Sequence, residues 1–197
     1  MGRRSTHSAG ELRQLILAST REIVEKHGLA ELSAREIARK IDYSPGTIYN
    51  VFKNLDDLLL TIQVDMLRDV VGILEAVPKD VDERTYLKSL ARRYMDFALT
   101  HRRLWNLLFQ HQLPNGAEVP HQLHNQIAAL VAIVAQALKP LLAKSADATH
   151  TARLVWASVH GISAIAVTDK GPTMTTQTAQ AYVADLIEVF LAGLKQP

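Results

Sequence analysis

The chain has 197 residues, with 22 Lys and Arg against 20 Asp and Glu and no cysteine. That length allows one large domain or a small one plus a medium one, each with a buried core; the missing thiols exclude a disulfide framework and any thiolate metal site. The near-neutral total hides an asymmetry: residues 1–53 carry nine basic and six acidic side chains, a net of +3, and the remainder thirteen against fourteen, so a polyanion is expected at the N-terminal end.

No apolar run reaches 18 residues and no signal-type apolar core follows Met1, so a cytoplasmic protein with no membrane partner is expected. The periodicities are helical throughout. Arg3 and Arg4 precede the first helix, as a minor-groove arm or a basic tail. Leu12, Leu15, Ile16 and Ile23 stripe a helix over about 10–27, closed by His27-Gly28. Ser33 caps a second, Ala34 to Ile41, and Glu36 three residues on completes a capping box.

A turn of about three residues leads to Tyr-Ser-Pro-Gly-Thr-Ile-Tyr-Asn-Val-Phe-Lys, residues 43–53. Ser44 is a good N-cap, its hydroxyl suited to a first-turn N–H, and Pro45 occupies the first helical position, where its missing N–H costs nothing. Ile48, Val51 and Phe52 make an apolar face, which puts Gly46, Asn50 and Lys53 opposite, flanked by Thr47 and Tyr49. A helix of about eight residues is marginal alone, so neighbours must hold it. Asn54, Asp56 and Asp57 open a long fourth helix to Val77, broken by Pro78-Lys79-Asp80. Helices follow over about 83–100, 101–112, 120–143, 147–168 and 175–195, nine in all. The breaks carry Pro114-Asn115-Gly116, Ser145 to Asp147, and Gly171-Pro172, while Pro140 is expected to kink or end its helix early.

Two short helices across a three-residue turn form a helix-turn-helix, whose second helix reads a DNA major groove. The stretch from Glu11 to Leu59 closely resembles the DNA-binding domain of the TetR (tetracycline repressor) family. The resemblance is carried by Leu32-Ser33-Ala34-Arg35-Glu36-Ile37-Ala38, Ser44-Pro45-Gly46-Thr47-Ile48-Tyr49, Phe52-Lys53-Asn54 and Leu58. It implies an all-α chain, with a helix-turn-helix domain over 1–54 and a larger helical ligand-binding and dimerisation domain over 55–197. It further implies that Ser33 and Arg35 approach the DNA backbone or a base edge, and that Ser44, Gly46, Thr47, Tyr49 and Asn50 face the groove. Gly46 permits close backbone approach, Thr47 suits a phosphate or a thymine methyl, and Asn50 suits adenine. Tyr49 is either a phosphate contact or a packing residue, and Lys53 either a phosphate contact or merely solvated. Asp42 stands where the family usually has glycine, and Leu55 where a lysine commonly meets phosphate.

Helix 147–168 is apolar nearly all round from Leu154 to Val167, and helix 175–195 carries a broad stripe of Ala179, Tyr182, Val183, Leu186, Ile187, Phe190, Leu191 and Leu194. Two such helices meeting their copies would make a four-helix interface, as the family does, with Tyr182, Leu186 and Phe190 in it. Trp156 to Gly161 resembles the Trp-x-x-x-His-Gly signature of one type of TetR C-terminal domain. Gly161 in mid-helix suggests close helix approach. His160 either lines a ligand cavity with Trp156 or is a core histidine bonded to a carbonyl. Met66, Met95, Phe97, Trp105 and Phe109 are candidates for a pocket wall or plain core. His121 and His124, with His111 nearby in sequence, lack a carboxylate at matching spacing, so no metal or other cofactor is expected.

The expected function is a ligand-responsive homodimeric DNA-binding regulator, a repressor released from a palindromic operator by a hydrophobic or amphipathic small molecule. The alternatives are a constitutive regulator without effector and a helical-bundle enzyme. Against the enzyme, no nucleophile–base pair, phosphate loop or carboxylate cluster is present.

Overall fold

A computed structural model describes residues 7–114, 118–144, 146–168 and 174–194. Arg3 and Arg4, Asn115-Gly116, Ser145 and Gly171-Pro172 lie outside the described residues. Among those described there are ten α-helices, two short 3-10 turns and no strand. The all-α expectation therefore holds.

The first three helices are α1 (Ala9–His27), α2 (Ala34–Ile41) and α3 (Pro45–Val51), and each packs on the other two. Ser8 caps α1 through a full capping box with Glu11: its hydroxyl accepts the Glu11 N–H and the Glu11 carboxylate accepts the Ser8 N–H. Gly28, at φ 83°, ends α1 in a conformation that a Cβ would strain. Ser33 Oγ accepts from the Glu36 N–H at 3.1 Å, but the Glu36 carboxylate turns to Arg39, so the second capping box is only half formed. An Arg guanidinium three residues on is the stronger partner for an ionised carboxylate. Asp42 caps α2 at φ 59°, ψ 43°, the left-handed conformation for which the family keeps glycine.

The long helix α4 (Leu55–Glu75) follows, then α5 (Glu83–Thr100). The single helix expected over 101–112 is instead two four-residue pieces, α6 (Arg102–Trp105) and α7 (Leu107–Gln110). Asn106 divides them, and its carbonyl restarts the helix by accepting from Phe109 and Gln110. Pieces this short do not stand alone; Leu104, Trp105 and Leu107, each almost inaccessible, anchor them. The chain then forms α8 (His121–Leu138), which ends in a 3-10 turn at Pro140 as expected, α9 (Ala148–Val167) and α10 (Thr176–Gly193).

Packing divides the chain into two units. The first holds the described residues up to Gln63 together with Arg103–Glu118, the second Val64–Arg102 with the described residues from Val119 onward. The expected boundary at residues 54 and 55 thus falls inside the first unit. The reason is physical: Leu58, Leu59 and Ile62 of α4 are buried there. Gln63 Nε2 reaches the Leu107 carbonyl at 3.4 Å, His111 Nε2 sits 2.9 Å from Asp56 Oδ1, and Arg103 hydrogen-bonds the Lys26 carbonyl. In the second unit α5 packs on α8, α9 and α10, and α9 lies against both α8 and α10.

Candidate nucleic-acid interface and effector cavity

Ile48 and Phe52 are each 1% exposed and pin α3 to the first unit's core. The opposite face is open: Ser44, Gly46, Tyr49 and Asn50 are exposed, Tyr49 by 51%, and Thr47 is half-buried. Ser33 and Arg35 are exposed at the start of α2, and Lys53 is exposed just past the end of α3. All eight DNA-contact candidates are thus accessible on one unit. Ser44 does not cap α3 through its side chain as expected. Its Oγ lies 3.0 Å from Thr47 Oγ1, while its carbonyl accepts the Thr47 N–H, so the two hydroxyls satisfy each other. A Cβ on Gly46 would meet only Ser44 Oγ, at 3.7 Å; the fold itself has no need of glycine there.

The charges nearby are unequal in availability. Arg39 is held by Glu36. Glu22 holds Lys26 and Lys40 together, and their hydrogen bonds keep its carboxyl down at about 2. Neither Arg35 nor Lys53 is in an ion pair with a described residue. At the start of α4, Asn54 Oδ1 accepts the Asp57 N–H at 2.8 Å and Asp57 Oδ2 accepts the Lys53 N–H at 3.0 Å. Leu55 is half-buried beside this cap.

The second unit contains a cavity of about 30 Å³ lined by Leu74, Leu87, Leu90, Tyr94, Val134 and Trp156, among others, all of them uncharged. Trp156 Nε1 donates to Tyr94 Oη at 3.1 Å, and Tyr94 Oη lies 2.6 Å from His160 Nδ1. The Trp156 and His160 rings stack, with centroids 5.3 Å apart. Burial pushes the Tyr94 hydroxyl well above the usual phenol range and lowers the His160 imidazole.

Of the expected pocket wall, only Trp156 lines this cavity. Met66, Met95 and Phe97 are buried but not on its wall, and His160 acts on it through Tyr94. Trp105 and Phe109 belong to the other unit, where Trp105 is core and Phe109 is 41% exposed. Tyr94, which the sequence did not single out, lies 62 and 66 residues from its two partners. Among the described residues no group of three or more His, Cys, Asp or Glu could hold a metal ion. His111 is engaged by Asp56 and Gln63, and His121 and His124 are both exposed.

Two family models match this chain. Residues 16–62 match the bacterial regulatory proteins of the tetR family, and residues 87–190 match the tetracyclin repressor-like C-terminal domain. The chain is a TetR-family transcriptional regulator. Its family is one of regulators and not of enzymes. Three solved structures share its fold. A protein of unknown function from Rhodococcus sp. RHA1 is 26% identical, with a TM-score of 0.73, the match covering 99% of this chain and 100% of the other. FadR from Bacillus subtilis, solved with stearoyl-CoA, is 14% identical over 91% of this chain and 98% of its own, at a TM-score of 0.72. BioQ, solved with its double-stranded DNA operator, is 22% identical over 92% and 98%, at a TM-score of 0.66. No curated protein matches.

The regulator's last two helices each keep an uncovered apolar face. On α9, Leu154, Ala157, Gly161 and Ile165 are exposed along one side. No atom lies within 4 Å of a Cβ built on Gly161, so the close approach it permits is not made within the single chain. On α10 the stripe divides: Ala179, Val183, Ile187 and Leu191 are core, Leu186 and Phe190 are half-buried, and Tyr182 is 51% exposed. Val189, at 72%, is the most exposed large apolar side chain and was not in the expected interface.

Proposed function

We propose that this regulator acts as a homodimer that binds a palindromic operator through α3 and releases it when a hydrophobic or amphipathic small molecule enters the second unit. The observation that carries the reading is the exposed face of α3, where Gly46, Tyr49 and Asn50 lie side by side with no structural need for Gly46. Around them Ser44 and Thr47 face the groove, Ser33 and Arg35 approach the DNA backbone or a base edge, and Lys53 offers a phosphate contact. The uncovered apolar faces of α9 and α10 support dimerisation, with Tyr182, Leu186, Val189 and Phe190 on the α10 side. Contiguous apolar surface of this kind marks an interaction site.

The stearoyl-CoA complex of B. subtilis FadR, a protein of similar fold, supports an effector role for the helical bundle. Helix α4 is the element through which an effector would act, because it contributes Asp56 to the first unit and Leu74 to the cavity wall. The coupling is of the order of 1–3 kcal/mol and reciprocal, so DNA weakens effector binding by the same factor. The small size of the cavity favours one second reading, a constitutive regulator without effector. Among the described residues no helix is long and apolar enough to cross a membrane, which is consistent with action on cytoplasmic DNA. The test is a random pool of duplexes passed over the full-length protein. Retained sequences should converge on one motif, and Tyr49→Ala with Asn50→Ala should abolish their retention. Equal retention by the double variant would refute the assignment of α3.

A further inference from the structure

The lining of the second unit's cavity is apolar. Its lining has no Lys, Arg, His, Asp or Glu. The three polar groups next to it are ordered by their own chemistry. An indole nitrogen only donates, so Tyr94 Oη accepts from Trp156 Nε1 and shares a second hydrogen bond with His160 Nδ1. Burial lowers the pKa of His160 and so favours its neutral imidazole. Tyr94 stays a phenol for the same reason. The result is a chain of hydrogen bonds between uncharged groups beside an apolar cavity. A carboxylate or phosphate entering here would shed its hydration and meet no cation, a loss that dominates the transfer of ions into apolar surroundings. An uncharged molecule loses little, and one hydroxyl or carbonyl can join the Trp156–Tyr94–His160 chain. At about 30 Å³ the cavity has room for roughly one water, so a larger occupant needs one wall to move. Trp156 is half-exposed and lines the cavity, and its indole is held by Tyr94 and by stacking on His160.

Building on the ligand-responsive reading above, we propose that the effector is an uncharged, mainly hydrocarbon molecule with a single hydrogen-bonding atom, such as an alcohol, phenol, ketone or ester. Trp156 moves to admit it, and Tyr94 and His160 position its polar atom.

The test is calorimetric titration of the full-length protein at pH 7.5 with octan-1-ol, octanoate and octanoyl-CoA, and in parallel with p-cresol, p-toluate and toluene. In at least one series the uncharged polar member should bind at least tenfold tighter than its charged counterparts. Octanoate, octanoyl-CoA or p-toluate binding as tightly as the matched alcohol or phenol overturns the proposal, and so does binding of no probe at millimolar concentration. Tyr94→Phe should remove most of the advantage of p-cresol over toluene while leaving toluene binding unchanged. A loss shared equally by both would show that Tyr94 merely holds the wall and would overturn its positioning role. Adding each probe to the complex with a selected duplex separates the two levels. Octan-1-ol that binds preferentially without releasing DNA leaves the cavity chemistry standing and removes the ligand-responsive reading. Octanoyl-CoA that binds preferentially and releases DNA does the reverse.

Discussion

Leu55→Lys places a charge where the family resemblance implies a phosphate-contacting lysine, and its effect can be worked out in advance. Leu55 is half-buried, whereas Leu58, Leu59 and Ile62 behind it are 0–5% exposed. Full burial of a leucine is worth about 1.5–3 kcal/mol, so losing roughly two-thirds or more of it costs roughly 1–2 kcal/mol, less what the lysine stem keeps covered. The two neighbouring carboxylates are already engaged: Asp57 accepts the Lys53 N–H, and Asp56 faces His111. The new ammonium is therefore available to a phosphate. Among the described residues Arg35 and Lys53 are the cations of each reading surface that are in no ion pair; counting these alone, a dimer makes about four charged phosphate contacts and log K falls against log salt with a slope near −3.6. Two added lysines should steepen it to about −5.4, and between 50 and 200 mM salt the variant should lose about tenfold more affinity than the parent. Fluorescence anisotropy on a selected duplex at four salt concentrations measures this, and thermal denaturation checks the fold. An unchanged slope in a well-folded variant would refute the DNA-facing assignment of Leu55; a loss above about 2 kcal/mol with no new slope would make Leu55 core.

Gly46→Ala should leave stability the same or raise it by up to about 1 kcal/mol, since alanine is the better helix former and has room there, yet weaken operator binding; unaltered affinity in gel shifts would show that no close backbone approach occurs. Leu186→Glu with Phe190→Glu should convert the dimer to folded monomers in sedimentation, because two charges would enter a desolvated interface at several kcal/mol, and an intact dimer would move the interface elsewhere. His160 has a lowered folded-state pKa, so its contribution to stability is present above about pH 6.5 and is lost as pH falls through the folded value, the unfolded chain taking up the proton first. The denaturant midpoint should therefore drop from pH 7.5 to 5.5, and by less in His160→Gln; equal drops would assign the effect to other groups.

What the sequence disclosed was local. Pro45 at the first helical position and the Ser33 hydroxyl as the cap of α2 depend on neighbours within four residues, and so were readable from spacing, while Asp42 was marked by the family resemblance. The reading face of α3 followed from Ile48 and Phe52 being apolar at helical spacing, and the family resemblance supplied the roles. Competition between partners was not readable. Glu36 chose Arg39 over the Ser33 backbone, and Ser44 chose the Thr47 hydroxyl over a first-turn N–H. Contacts across long separations were hidden as well: Tyr94 with His160, and His111 with Asp56. An apolar stripe tells which side of a helix avoids water but not what covers it. That is why Trp105 and Met66 stayed open between pocket wall and plain core until their burial was seen, and why Val189 was overlooked.

The central claim, that a symmetric dimer reads DNA through α3, is tested most directly by hydroxyl-radical footprinting on a selected duplex, repeated with Asn50→Ala. The account predicts two protected half-sites related by a twofold axis, with centres about one helical turn or slightly more apart, and in the variant a loss of preference at one base pair in each half-site. A single asymmetric footprint, or a base preference that Asn50→Ala leaves intact, would contradict it.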